Sequence, residues 1–109
     1  MIDLQGYPSV FFAGAFLCNA LPHLLAGVQG HAFPTPFAKP PGVGDSPPLT
    51  NFLWGFGNVV VGGLLLSSYP VSAGFNAHFA TTLLGALAIG VFLAVHFGKV
   101  HRDRSKGRQ

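Results

Sequence analysis

From Ser46 to Gly98 the chain runs 53 residues without an Asp, Glu, Lys or Arg. A second charge-free run, Leu4 to Ala38, covers 35 residues. A soluble domain dresses its surface with charge, roughly a quarter or more of it Lys, Arg, Glu and Asp. Charged residues make up 8% of this chain, against about 25% in soluble domains. The placement of the charges matters more than their number, because two long runs are left with nothing to offer water. Lipid is the solvent that accepts them.

A helix needs ~20 mainly apolar residues to cross a bilayer. Three stretches of the 109-residue chain meet this requirement: about 7–28, 49–69 and 73–97. The sequence therefore predicts an all-α membrane protein, a single integral domain over residues 1–109 with three transmembrane helices. Local signals set the boundaries. Ser46-Pro47 reads as an N-cap followed by proline at the first helical position. Tyr69-Pro70 ends the second span, since the residue before proline avoids the α region. Pro22 lies inside the first span, where its missing N–H frees a carbonyl. Tyr7, Trp54 and Tyr69 lie near predicted ends, as interfacial aromatic residues do.

Residues 29–48 form a Pro-rich loop, and six of the nine prolines lie in 31–50. Proline favours extended backbone and removes donors, so such a loop can rest against an apolar interface with Phe33 and Phe37 dipping in. The alternative is a docking peptide for an aromatic groove. The basic tail, 98–109, carries Lys99, Arg102, Arg104, Lys106 and Arg108. A basic cluster can bind nucleic acid, but this one abuts an apolar segment, so the membrane reading takes precedence and no nucleic-acid partner is expected. Three spans put Lys39 and the tail on one face, leaving only Asp3 and an uncharged turn on the other. By the positive-inside rule the loop and tail are cytoplasmic and the N-terminus is outside.

Polar side chains within the spans are rare and face the protein interior. Here they form a seam: Asn19 and His23 on the first helix, Asn51 and Asn58 on the second, His96 on the third. On the second helix Asn51, Gly55, Asn58 and Gly62 step by four, three and four along one stripe. At ~1.5 Å per residue, Asn19 and Asn58 sit at matching depth and are placed to hydrogen-bond. The plain reading is that this seam joins the helices, with Gly55 and Gly62 permitting close approach. A sharper one makes His23 and His96 ligands for haem iron or a metal, although no carboxylate or thiolate stands nearby to complete a shell. A third has Asn19, Asn58 and His23 line a path for a small solute or ion.

Small residues recur every fourth position on the third helix, with Thr81 and Gly85 on one line and Gly90 on another. Small-xxx-small lines pack membrane helices closely, so a homo-oligomer or a membrane-protein partner is expected. Cys18 is a buried small hydrophobe. No GxGxxG with an acidic partner, P-loop, CxxC or HExxH occurs, and Ser67, Ser68 and Ser72 have no nearby acid for a triad. The sequence thus reads as non-enzymatic.

The run PHLLAGVQGHAFPTPFAKPPGVGDSPPLTNFLWG, residues 22–55, is similar to a pattern found in small multi-pass bacterial membrane proteins of uncharacterised function. The resemblance covers about a third of the chain. It implies a bacterial inner (plasma) membrane and a loop that is more than a spacer. It carries over no catalytic or ligand residue.

Overall fold

The computed structural model describes residues 5–107. Asp3, expected on the outer face, and Arg108 of the tail lie outside them. Three long helices form: α1 (Tyr7–Val28), α2 (Pro48–Ser68) and α3 (Ala77–Gly107). Each is long and apolar enough to cross a membrane. Between α1 and α2 the loop pairs β1 (Phe33–Pro34) with β2 (Asp45–Ser46) in a short antiparallel ladder.

Three boundaries differ from expectation, each for a local reason. At α2 the flanking residue is Pro47, at φ −62° and ψ 160°, with no side-chain cap. Because Pro47 precedes another proline it is held extended, and Pro48 takes the first helical position. Ser46, expected as the cap, instead bonds the Thr35 hydroxyl at 2.6 Å. At α3 the helix begins at Ala77 rather than Ala73. Asn76 Oδ1 accepts the N–H of Phe79 at 2.8 Å, an N-cap contact that satisfies an orphan donor of the first turn. At its far end α3 continues past Phe97 to Gly107. Hydropathy stops where the lipid would stop, but Arg104 and Lys106 occupy the last turn, where cations suit the helix dipole.

The helix order in space is α2–α1–α3: α1 packs on both others, while α2 and α3 scarcely touch. The interior of α2 consists of Asn51, Gly55, Asn58 and Gly62; its large apolar residues, Leu53, Phe56 and Leu64 among them, face outward. This polarity suits a lipid solvent, where small and polar residues line helix contacts. A Cβ on Gly55 would lie 2.8 Å from Leu24 N, and one on Gly62 2.7 Å from Leu17 Cγ. On the other side of α1, a Cβ on Gly14 would fall on the carbonyl oxygen of Thr82, and one on Gly85 on that of Phe11. This reciprocal pair marks the α1–α3 crossing. Gly90 also meets α1, at Cys18, whereas Thr81 turns its hydroxyl back to Ala77 O at 2.7 Å. Large apolar residues of α3 face outward as well, among them Leu83, Leu87, Val91 and Val95.

Since α2 and α3 do not pack on each other, the chain ties them at both ends. At one end His78 stacks between Tyr7 (centroids 4.1 Å) and Tyr69 (4.6 Å) and its Nε2–H donates to Gln5 O at 3.0 Å. At the other end the Pro-rich loop crosses from α1 over α3 and back to α2.

Candidate functional site: a loop-roofed cleft

The loop is a folded roof. Gly42 N–H donates to Thr35 O at 2.8 Å and Gly44 N–H to Pro40 O at 2.9 Å, so turns close it on itself. Phe33 packs on Phe97 (centroids 4.7 Å) and Phe37 meets the Trp54 ring edge-to-face at 5.0 Å. Against α3, Gly42 O accepts from His96 Nε2 at 2.6 Å. Farther out, Arg104 bonds Val43 O and pairs with Asp45 at 3.0 Å.

Asn51 fastens this roof to the floor. Its Nδ2 donates to Phe33 O (2.9 Å), Ser46 O (3.0 Å) and Pro47 O (3.3 Å). Three carbonyls on the nitrogen fix which way the amide faces, so Oδ1 points to His23 Nδ1, 2.8 Å away. An amide oxygen only accepts, so His23 Nδ1 carries the proton. In the neutral imidazole Nε2 then holds a lone pair, and among the described residues no hydrogen bond reaches it. Deeper in the bundle Asn19 Nδ2 donates to Asn58 Oδ1 at 2.9 Å, while Asn58 Nδ2 bonds Trp54 O of its own helix at 2.8 Å.

Roof and helices border an open-sided cleft of about 320 Å³ between α2 and α3, with α1 as its floor. Asn19 and His23 line it from α1, Trp54 from α2, His96 and Phe97 from α3, and residues 34–36 and 41–42 from the roof. Trp54 Nε1 is buried with no acceptor, alone in this among the side-chain nitrogens and oxygens of the described residues. Neither a family model, nor a curated protein, nor a solved structure matches this chain.

The structure brings Asn19, His23 and His96 to one cleft, with Asn51 and Asn58 directly behind them. Gly55, Gly62, Gly85 and Gly90 are packing residues away from it. For a metal ion held by protein side chains alone the donors are few. His96 Nε2 is engaged by the roof and His23 Nδ1 by Asn51, so each imidazole has one nitrogen left. No group of three or more His, Cys, Asp or Glu gathers among the described residues, and a bound metal ion of the common kinds takes four or more ligands. Trp54 and the roof residues Thr35, Gly42 and Ser46 were not legible as site residues. Trp54 near a helix end reads as a lipid anchor, and a Pro-rich stretch has no period to show what it covers.

Proposed function

We propose that this chain is a non-enzymatic protein of a bacterial inner membrane that binds a small guest from the lipid phase in the roofed cleft and works through that contact. The observation that carries this reading is the cleft itself, whose roof is held by side chains from all three helices. Its size and its largely apolar lining with a few convergent polar groups are those of small-molecule sites. Lys39 and the basic end of α3 lie at the roofed end, which supports a cytoplasmic roof by the positive-inside rule.

Native mass spectrometry of the protein ejected from its own membranes tests the reading. The expected result is a bound adduct of small-molecule mass that is lost in Asn51→Leu, whose roof has no fastening. A bare mass for the unaltered chain overturns it.

A further inference from the structure

The cleft's unmet valences define what fits it. Its walls are rings and prolines: Trp54, Phe92, Phe97, Pro34, Pro36 and Pro41. Among the residues that line it there is no Asp, Glu, Lys or Arg, so nothing would balance a charged guest in a low-dielectric site. A lipid phosphate finds no cation there. One polar group is left open. The His23 Nε2 lone pair requires a donor, while the Trp54 N–H is sealed among its neighbours and offers the cleft nothing. A hydroxyl meets that need, because its proton can go to the imidazole. Lateral access is open, since α2 and α3 do not close against each other and Phe92, at the cleft's rim, is 59% exposed.

We propose that the guest is a neutral, lipid-soluble aromatic molecule bearing a hydroxyl, of the phenol or hydroquinone class, with its ring among Trp54, Phe97 and the roof prolines and its hydroxyl on His23 Nε2. The proposal rests on the reading of the cleft as a binding site and adds the chemical class. An apolar ring alone would leave the imidazole unsatisfied, and a charged headgroup would be uncompensated.

Trp54 is the chain's single tryptophan, so its emission reports on the cleft. The protein in lipid nanodiscs is titrated with 4-octylphenol and, separately, with octylbenzene, which has the same ring and tail without the hydroxyl. The expected result is a saturable change in Trp54 emission with the phenol and only a linear, non-competing response to octylbenzene. His23→Phe keeps a ring and removes the lone pair; its binding of labelled 4-octylphenol, read by equilibrium partition, should weaken about three- to tenfold, the effect of one hydrogen bond, with circular dichroism and thermal unfolding confirming that the variant folds. If octylbenzene competes as well as the phenol, the hydroxyl class is wrong while the cleft remains a binding site. If neither ligand saturates although native membranes yield an adduct, the guest is of another chemistry and this proposal falls alone. If no adduct is found either, both readings fall.

Discussion

Asn51 and Asn58 are the same residue type about two turns apart on one stripe of α2, yet the structure gives them unequal work. Asn51 joins four partners from α1, the roof and the start of α2. Removing it leaves carbonyls and an N–H without partners in a site shielded from water, at about 1–3 kcal/mol for each group left unsatisfied. Asn58 makes one interhelical bond, to Asn19, and such bonds in membranes average about 0.6 kcal/mol. Asn51→Leu should therefore destabilise the fold by several kcal/mol and expose the roof amides of 35–44 to hydrogen exchange. Asn58→Leu should lower stability by less than about 2 kcal/mol and leave those amides protected. Equal effects in a denaturant titration with exchange detection would contradict this ranking. The tautomer is testable at the same scale: nitrogen NMR of labelled His23 should show a protonated Nδ1 and an unprotonated Nε2, and the reverse pattern would remove the hydroxyl-accepting group from the cleft.

At the scale of elements, helix contacts separate glycines that are needed from those that are incidental. Gly14 and Gly85 occupy the α1–α3 crossing, where any Cβ meets backbone and cannot be relieved by a rotamer change. Gly57 and Gly63 face open space, and there alanine should help, since a helix-interior glycine costs about 0.5–1 kcal/mol relative to alanine. Gly14→Ala and Gly85→Ala should each lose about 1–3 kcal/mol, the usual penalty of overpacking, while Gly57→Ala and Gly63→Ala hold or gain stability in bicelles. Four indistinguishable midpoints would mean that the crossing is not where the structure puts it. The sequence exposes part of this pattern. The helices of α1 and α2 show because charge is absent, and the α2 stripe shows because its polar and small residues keep helical spacing. Gly14 stays hidden because Ala13-Gly14-Ala15 offers a small residue at every position and no period singles one out. The start of α3 is missed because Asn76 competes with the glycine and serine before it as a boundary, and its end because helix and lipid stop in different places. The roof is hidden most completely, since its partners lie far along the chain, as Arg104 and Asp45 do.

For the molecule as a whole, charge is collected at one end. Lys39, Lys99, Arg102, Arg104 and Lys106 lie on the roofed side, and the 69–76 connector at the opposite end has no charged residue. Asp45 and Asp103 are also on the roofed side, but acidic residues weigh little in setting orientation. The ion pair of Arg104 with Asp45 is about one-third exposed at each side chain, so by itself it contributes ~0–1 kcal/mol; its larger consequence is to keep the roof beside the basic helix end. That asymmetry predicts a single topology. In a Cys18→Ser background, Ser72→Cys should react with an impermeant maleimide on intact cells, and Ser105→Cys only after permeabilisation. The two sites report opposite ends of one rigid bundle, so they must switch together. Labelling of Ser105→Cys alone on intact cells would put the roof outside, and the guest would then have to be available from the outer leaflet. Labelling of both on intact cells would break the link between charge and side altogether, and with it the argument that the roof faces the cytoplasm.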